Sequence, residues 1–235
     1  MNNTIIIIPT LNEENNVEIV IDKILKTKEK FDILFIDDGS TDNTRESIKQ
    51  LKNKYPFVNY IFRDNKTGIG SAHKTGLIYC YERKYEFIIT MDADGTHDPN
   101  NISDMQLLMN EKKLDLVSTS RFKTEDSLKD WPIFRKFLTY SRHYLIKIFL
   151  NLHFDASGAF RIYNTKTINL DHILEAKDNR YAFFWESLFI LKLKNYKINE
   201  ININLPFRKL GKSKMKIGDV IKSIIYLFIV FFKYR

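Results

Sequence analysis

Two aspartates follow a short apolar run in the segment Ile88-Ile89-Thr90-Met91-Asp92-Ala93-Asp94-Gly95-Thr96-His97-Asp98-Pro99. The apolar run predicts a buried strand, and the glycine and proline that follow predict a loop at its carboxyl end. In open α/β sheets, ligands bind beyond the carboxyl ends of the strands, and closely spaced carboxylates suit Mg²⁺ or Mn²⁺ beside phosphate oxygens. The same tripeptide also occurs in solvated surface turns, so Asp92 and Asp94 alone leave both interpretations open.

Apolar runs alternate with segments of helical spacing on either side of this loop. We expect strands at residues 4–8, 31–36, 58–62, 86–91 and 114–119. We expect helices at residues 17–30, after a cap at Ser40 or Thr41, from Gly68 to about Tyr81, and from a cap at Asn100 or Ser103 through Met109. This alternation predicts an α/β fold with a mostly parallel, Rossmann-like sheet and helices on both faces.

A second acidic pair, Asp37 and Asp38, follows the strand predicted at residues 31–36. Two strands that end in carboxylates favour a functional site over two unrelated turns. Gly68 and Gly70 invite comparison with a phosphate-binding loop, but the third glycine and the Lys-Ser/Thr pair of a P-loop are missing. We therefore interpret these glycines as the turn that starts a helix.

The chain becomes more basic and aromatic after residue 120. Residues 121–147 predict a long helix, residues 155–161 a tight turn that leads into a strand, and residues 196–206 a half-exposed strand. Glu186 lies in the otherwise apolar segment 183–189. A carboxylate in such a setting is either a site residue with a raised pKa or an ion-paired acid of the core, and both alternatives remain open.

Composition restricts the class of protein. A chain of 235 residues with 44% hydrophobic content can bury a sizeable core, which favours one domain with an appendage. The lone Cys80 excludes an internal disulfide and a cysteine metal cluster, which fits a reducing, cytoplasmic compartment. The first residues lack the basic region and the length of a signal peptide, so we expect no export.

Positive charge is concentrated at the end of the chain. The net charge is +8, and residues 206–235 contain eight basic residues against one acid. The apolar run at 224–232 is shorter than the roughly 20 residues that span a bilayer. We expect an amphipathic, interfacial helix at residues 219–235 against an anionic membrane surface. The alternative is a helix packed on the domain or in a dimer; nucleic acid is not expected, since no nucleic-acid motif accompanies the charge.

Three motifs follow one another in a familiar order: Pro9-Thr10-Leu11-Asn12-Glu13, Asp37-Asp38-Gly39-Ser40-Thr41-Asp42 and Asp92-Ala93-Asp94. Together they resemble the GT-A domain of family 2 glycosyltransferases. More narrowly, the chain resembles the dolichyl-phosphate mannose synthase group of polyprenyl-phosphate glycosyltransferases. That match rests on Ser120 to Phe122, Trp131-Pro132 with Arg135, Asp155 to Arg161, Glu186, and Phe207-Arg208 with Gly211, Ser213 and Lys214.

The resemblance implies a catalytic domain at residues 1–218, with a nucleotide-sugar half (1–119) and an acceptor half (120–218), followed by a membrane-associating helix (219–235). It also implies roles for single positions. The nucleotide sugar would be held by Pro9, Leu11, Glu13, Ile36, Asp38, Asp92, Ala93, Asp94, Arg121, Arg208 and Lys214. The metal, Mg²⁺ or Mn²⁺, would be held by Asp94, Thr96 and Asp92. The catalytic set would be Asp94, Arg121, Arg135, Arg208 and Lys214, and the acceptor phosphate would contact Arg121, Arg135 and Thr139.

The implied activity is the inverting transfer of a hexose, first of all mannose from GDP-mannose, to a polyprenyl or dolichyl phosphate at the cytoplasmic membrane face. A phosphate is already an anion at pH 7, so such an acceptor needs no strong general base. Many members of this group carry transmembrane helices after the catalytic domain. For this chain, the alternatives are peripheral docking on the membrane, a membrane-protein partner or further membrane segments.

Three rival functions remain. One is a family 2 enzyme that uses a UDP-sugar such as UDP-glucose or a glycan hydroxyl acceptor, for which Glu186 could serve as the base. Another is a non-catalytic module that binds a nucleotide sugar or a lipid. The third, a sugar-nucleotide pyrophosphorylase, is disfavoured because the glycine-rich loop after the first strand is missing.

Overall fold

A computed structural model describes residues 2–123, 127–208 and 217–234 of the chain. The strands within these ranges are β1 (Thr4–Thr10), β2 (Asp32–Asp37), β3 (Val58–Phe62), β4 (Phe87–Thr90), β5 (Leu116–Ser120), β6 (Arg161–Asn164) and β7 (Ile198–Asn202). The helices are α1 (Val17–Leu25), α2 (Thr44–Lys54), α3 (Ile69–Glu82), α4 (Asn101–Lys112), α5 (Ile133–Leu150), α6 (Leu170–Leu174), α7 (Ala182–Leu193) and α8 (Ile217–Lys233).

The seven strands form one sheet in the order β3-β2-β1-β4-β6-β5-β7. All neighbouring pairs are parallel except those of β6, which runs antiparallel to both β4 and β5. The predicted α/β fold with a mostly parallel sheet is therefore confirmed. Because β6 runs backwards between two strands of the same direction, the turn before it lies at the same sheet edge as the carboxyl ends of β1, β2, β4 and β5.

The sheet separates two hydrophobic clusters. Side chains alternate between the faces of a strand, so Ile5 and Ile7 of β1 join one cluster while Ile6 and Ile8 join the other. The first cluster is covered by α3, α7 and α8, and the second by α1, α2 and α4. Burial on both sides explains why the strands are nearly continuous apolar runs.

Several helix boundaries differ from those predicted. The first helix ends at Leu25 rather than residue 30, because residues 26–30 supply no apolar side chain to the core. Neither Ser40 nor Thr41 caps α2. The Ser40 backbone N–H instead donates to Asp37 (3.1 Å), and Asp42 accepts the Thr44 backbone N–H at the start of the helix (3.0 Å).

Two further helices depart from the sequence pattern. Of the two candidate caps for α4, Asn100 occupies the cap position and Ser103 lies inside the helix, which continues past Met109 to Lys112. The short helix α6 was not predicted, because its five residues are too few for a periodic signal.

The C-terminal helix α8 packs on the domain, which was one of the alternatives considered for it, and also keeps an exposed apolar side. One side packs on the domain through buried Ser223, Leu227 and Val230, while Ile225 and Phe232 on the other side are exposed. Phe149 of α5 contacts the rings of Phe228 and Phe231, so α5 and α8 lie against each other. Within the described ranges, no helix has the length and apolar character needed to cross a membrane.

Candidate active site

A crevice of about 750 Å³ lies at the sheet edge where the carboxyl ends of the parallel strands meet the turn before β6. This is the position at which ligands bind in open α/β sheets. Twelve of the residues assigned from the sequence line it: Pro9, Leu11, Glu13, Asp38, Asp92, Ala93, Asp94, Thr96, Arg121, Arg135, Thr139 and Arg208. The fold therefore brings both acidic loops and three arginines into one cavity.

Asp38, directly after β2, organises one end of the crevice. Its two carboxylate oxygens accept the backbone N–H groups of Thr67 (3.0 Å) and Gly68 (2.9 Å), and Arg63 Nη1 lies 3.4 Å away. These contacts tie the loop before α3 to the end of β2. Asp38, which the resemblance assigned to the nucleotide sugar, therefore lines the crevice with both carboxylate oxygens engaged by backbone amides.

The glycines at the start of α3 serve the turn and the packing, as the sequence interpretation proposed. Gly68 has a φ of +112°, a conformation that side chains rarely adopt. A Cβ on Gly70 would lie 2.6 Å from the Phe183 Cβ, so only glycine allows α3 to approach α7 this closely. Thr67, Gly68 and Ile69 line the same end of the crevice as Asp38.

Glu13 and Arg208 connect the two ends of the chain across the site. The Arg208 guanidinium donates to the buried Glu13 carboxylate, and its Nη1 lies 3.8 Å from Asp94 Oδ2. Glu13 also accepts from the Asn16 side-chain amide at 2.6 Å. One guanidinium therefore bridges a carboxylate after β1 and a carboxylate after β4.

The loop after β4 presents Asp92 and Asp94 in different surroundings. The Asp92 backbone N–H donates to Nδ1 of buried His97 (3.0 Å), and this ring stacks on Phe160, which fixes the loop to the core. Shielding from solvent raises the pKa of Asp92; His97 opposes this shift and the Asp94 charge adds to it. Asp94 Oδ1 accepts both the backbone N–H (3.1 Å) and the hydroxyl (2.7 Å) of Thr96.

The carboxylates of the crevice suit a metal ion whose remaining ligands come from the substrate. In the described part of the chain, no cluster of three or more His, Cys, Asp or Glu side chains is arranged to hold a metal. Asp92 and Asp94 offer two hard carboxylates in an open crevice. Mg²⁺ is commonly held by one or two carboxylates together with water and substrate phosphates, so this pair suits such an ion better than a closed protein cage.

Arg121, directly after β5, is locked by an acid from the turn before β6. Its Nε and Nη2 donate to the two oxygens of Asp155 (2.7 and 3.1 Å), and Nη2 also donates to Ser157 (3.0 Å). Burial disfavours the charged form of both groups, but their mutual attraction and hydrogen bonds outweigh it. The pKa of Asp155 is therefore lowered and the pKa of Arg121 is raised. The guanidinium therefore stays charged and fixed in the wall of the crevice.

Arg135, in the first turns of α5, is held by aromatic rings rather than by carboxylates. Its guanidinium carbon lies 4.6 Å from the centre of the Trp131 ring and 5.6 Å from that of Phe207. The Trp131 indole N–H donates to the Leu205 carbonyl oxygen (3.0 Å), which links α5 to the segment that carries Arg208. No carboxylate in the described ranges pairs with Arg135 within ion-pair distance.

Among the described residues, two sequence assignments fall outside this cavity. Ile36 is fully buried in the sheet core and does not line the crevice. Lys214 lies outside the described residues. Glu186 is buried in α7 and accepts from the Tyr226 hydroxyl (2.7 Å) and the Asp178 backbone N–H (2.9 Å), so it fastens α8 and a loop to α7 instead of facing the crevice. The core alternative for Glu186 is therefore favoured, with neutral hydrogen-bond donors in place of an ion pair.

Among the crevice residues to which sequence reasoning gave no role, three take part in the charge and ring contacts of the site or are placed to do so: Asp155, Trp131 and Arg142. Asp155 and Trp131 were noted within motifs but received no role, and Arg142 was not singled out. Arg142 could have been found from helix periodicity, since it follows Thr139 by three residues and Arg135 by seven. The pairing of Asp155 with Arg121 leaves no such local signal, because 34 residues separate them.

Solved structures share this architecture. Over 97% of this chain and 79% of the other, the fold matches glucosyl-3-phosphoglycerate synthase from Mycobacterium tuberculosis in complex with Mn²⁺, UDP and glucosyl-3-phosphoglycerate, with a TM-score of 0.67 and 16% identity. A complex of the same enzyme with Mg²⁺ and UDP matches with a TM-score of 0.66. At this identity the likeness shows the fold alone, and the expected GT-A architecture is confirmed.

Sequence comparisons identify the family. The chain is 29% identical to undecaprenyl-phosphate mannosyltransferase of Micrococcus luteus, over 93% of this chain and 90% of that protein. It is also 29% identical to polyprenol monophosphomannose synthase of Mycolicibacterium smegmatis, over 92% of this chain and 82% of that protein. The model of the glycosyl transferase family 2 matches residues 5–170, which is more than half of the chain. The chain therefore belongs to glycosyl transferase family 2, as its motifs led us to expect, and is a glycosyltransferase.

Proposed function

We propose that this glycosyltransferase moves mannose from GDP-mannose to a polyprenyl phosphate, with inversion at the anomeric carbon, at the cytoplasmic face of a membrane. One observation carries the proposal: a single crevice joins the acidic pair Asp92 and Asp94 to a wall of arginines. The acidic end suits a nucleotide diphosphate with its metal, and the basic end suits a second phosphate.

The donor end is assigned to the loops after β1, β2 and β4. Pro9, Leu11, Glu13 and Asp38 line the part of the crevice that would receive the nucleoside. Ala93 lies between the two acids and lines the crevice beside them, at the end that would receive the diphosphate. Arg208 is held by Glu13 and lies close to Asp94, where it would contact the diphosphate.

Asp94 is the principal metal ligand of the proposal, with Asp92 and Thr96 beside it. A divalent ion held there would neutralise the charge that develops on the departing diphosphate. Arg208 adds a fixed positive charge on the same side, which acts in the same direction. Thr96 holds Asp94 by two hydrogen bonds, so the carboxylate is oriented before the substrate arrives.

The acceptor end is assigned to Arg121, Arg135 and Thr139. Asp155 fixes the Arg121 side chain, and aromatic rings contact the Arg135 guanidinium. Both cations are therefore oriented before the acceptor binds. Because a phosphate acceptor is already ionised at pH 7, these residues need only to orient it for in-line attack. A glycan hydroxyl would require a general base, and the Glu186 carboxylate that could have supplied one lies away from the crevice.

A polyprenyl acceptor places the enzyme at a bilayer, and the surface of α5 and α8 is suited to that position. Exposed apolar side chains on the two adjacent helices are Ile133, Phe134, Phe137, Tyr140, Tyr144, Ile148, Ile221, Ile225, Phe228, Ile229 and Phe232. Arg135 and Thr139 lie on the crevice side of α5. A lipid whose tail follows this apolar face would therefore bring its phosphate to the arginines.

The relatives support the choice of mannose and of a polyprenyl phosphate through their names, and the motif resemblance supports GDP. UDP-glucose is the alternative donor, since two solved structures of the same fold are complexes with UDP or UDP-glucose. A non-catalytic binding module is the second alternative.

The test incubates the purified chain with Mn²⁺, a short-chain polyprenyl phosphate and one of GDP-mannose, GDP-glucose, UDP-glucose or UDP-mannose, and follows the lipid product by mass. We expect a mannosyl lipid phosphate from GDP-mannose. A product only from a UDP-sugar, or only with a soluble glycan in place of the lipid, would replace the donor or the acceptor proposed here. Binding of donor and lipid without product in any arm would favour the binding module.

A further inference from the structure

Arg142 lies one turn beyond Thr139 on the side of α5 that faces the crevice. Residues at positions i, i+4 and i+7 of a helix share one face, and Arg135, Thr139 and Arg142 have this spacing. All three line the crevice. No role has so far been given to Arg142 in the transfer reaction.

The Arg142 guanidinium differs from that of Arg121 in having no partner among the described residues. Its Nε is buried and makes no hydrogen bond there. Asp155, whose charge acts on Arg142, is already engaged by two nitrogens of Arg121. A buried donor without a partner is costly unless a ligand supplies the acceptor, so this nitrogen is available to donate to a ligand that enters the crevice.

Arg142 lies among the charges of the acceptor end. Burial and the neighbouring cations Arg121 and Arg135 lower its pKa to about 10, so the group remains a cation at neutral pH although its surroundings disfavour the charge. Along α5, Arg142 follows Arg135 and Thr139 on the side that lines the crevice, so it extends the row of acceptor residues by one turn.

We propose that Arg142 binds the phosphate group of the acceptor, on the side of that phosphate turned away from the donor. The inference rests on the proposed function and extends it. Arg135 and Arg142 are then two cations without carboxylate partners that flank Thr139, and together they match the charge of a phosphate monoester, which is close to −2 at neutral pH. With its outer oxygens held by Arg142, the phosphate directs its remaining oxygen toward the anomeric carbon.

This arrangement lets the enzyme distinguish a charged acceptor from a neutral one. A neutral polyprenol or a sugar hydroxyl brings no negative charge to the Arg142 cation, whereas a phosphate monoester brings both that charge and an acceptor for the buried Nε. Arg121 does not select in this way, because Asp155 already neutralises it. We therefore expect the discrimination between phosphate and alcohol to depend on Arg142.

The experiment compares Arg142→Gln, Arg142→Lys and the control Lys147→Gln, which removes an exposed cation from the same helix outside the crevice. Transfer to a short-chain polyprenyl phosphate in detergent is measured at varied donor and varied acceptor. We expect Arg142→Gln to raise the KM for the acceptor by about 10- to 100-fold, the range lost with a hydrogen bond to a charged group. The KM for the donor and the thermal unfolding midpoint should stay unchanged, and Arg142→Lys should recover part of the loss.

Two outcomes overturn the inference: an unchanged KM for the acceptor in Arg142→Gln, or an increase in the KM for the donor that equals the increase for the acceptor. If the unsubstituted chain forms no product with any donor, the proposed function fails, and calorimetric binding of the same polyprenyl phosphate decides about Arg142. Weaker binding by Arg142→Gln but not by Lys147→Gln supports its role, and equal binding or none contradicts it.

Discussion

Charged side chains in the crevice fall into two groups that differ in how their charge is balanced. Arg121 is neutralised by Asp155, and Arg208 is shared between Glu13 and Asp94. Arg135 is held by rings. The first group stabilises the walls of the site, while the cation on Arg135 stays available for a ligand.

Asp155 should be essential to the wall beside β5. Replacing Asp155 with Asn leaves the buried Arg121 cation without its counter-charge, and removal of one partner from a buried pair costs about 3–5 kcal/mol. We expect a loss of about 3 kcal/mol in the free energy of unfolding in urea. Asp130→Asn, an exposed acid in the segment just before α5, serves as the control and should change stability little.

The same pair predicts a dependence on pH. The Arg121 cation overrides burial and lowers the pKa of Asp155 in the folded chain. The ionised carboxylate therefore stabilises the fold fully above the unfolded pKa of about 3.9, and this contribution is lost as the pH falls through the lower, folded value. The stability difference between the unsubstituted chain and Asp155→Asn should be constant near neutral pH and shrink below about pH 4. A difference that grows in acid would contradict the pairing.

Asp94 should be required for the chemistry rather than for folding. In Asp94→Asn the charge that would hold the metal and balance Arg208 is lost, and we expect transfer to fall by at least about 100-fold, the loss typical of one electrostatic contact in a transition state. The matched control, Asp98→Asn, removes an exposed acid of the same loop that does not line the crevice. Near-normal turnover in Asp94→Asn would remove the metal role proposed for this residue.

Helix α8 is attached to the domain by a few polar contacts amid apolar packing. The Tyr226 hydroxyl donates to Glu186 (2.7 Å), and the Trp185 indole N–H donates to the Ser223 hydroxyl (3.1 Å). Arg180 and Asp219, which both line the crevice, approach to 3.5 Å. The position of this helix is thus connected to the shape of the active site.

Tyr226→Phe should loosen α8 without unfolding the domain. The Glu186 oxygen that accepts from Tyr226 would lose this donor, and leaving a buried acceptor unsatisfied costs about 1–3 kcal/mol. We expect backbone amides of α8 to exchange with deuterium about tenfold faster, while those of β1 and β4 keep their rates. Tyr144→Phe removes a hydroxyl from an exposed tyrosine of α5 and should leave exchange in α8 unchanged; equal rates in both variants would show that the Glu186 contact does not hold the helix.

On the scale of the molecule, the outer sides of α5 and α8 form an apolar surface beside the crevice. The net charge of +8 favours an anionic bilayer over a neutral one. Lipid docking along these two helices would set the opening of the crevice at the level of the phosphates.

The double variant Phe137→Ser with Phe232→Ser should weaken binding to phosphatidylglycerol vesicles. Each ring is well exposed (65% and 71%), and its burial in lipid contributes about 1.5–3 kcal/mol, so we expect at least a tenfold loss in the partition coefficient measured by vesicle sedimentation. Leu107→Ser, on α4 at the other face of the sheet, is the control for a lost exposed apolar group (58%). Equal partitioning of all three chains would rule out this surface as the membrane contact.

Local sequence patterns were sufficient for the strands β1 to β5, the alternating helices and the two acidic loops. Strands buried on both faces must be continuously apolar, and the acids that end them interrupt the run at the sheet edge, so both signals are contained in neighbouring residues. The order of the motifs was also sufficient for the family. Helix ends were less accurate, because a cap such as that of α2 depends on which of several nearby side chains finds an acceptor.

Contacts between distant parts of the chain were decided only by the tertiary structure. The antiparallel insertion of β6 between β4 and β5 brings Asp155 to Arg121, and the return of the chain after β7 brings Arg208 to Glu13, 195 residues away. The burial of Glu186 under Tyr226 and the lack of a partner for the Arg142 Nε in the described ranges arise in the same way. Composition and spacing indicate which side chains are available. Which partner each side chain finds, and therefore how its charge is balanced, depends on the order and direction of the strands in the sheet.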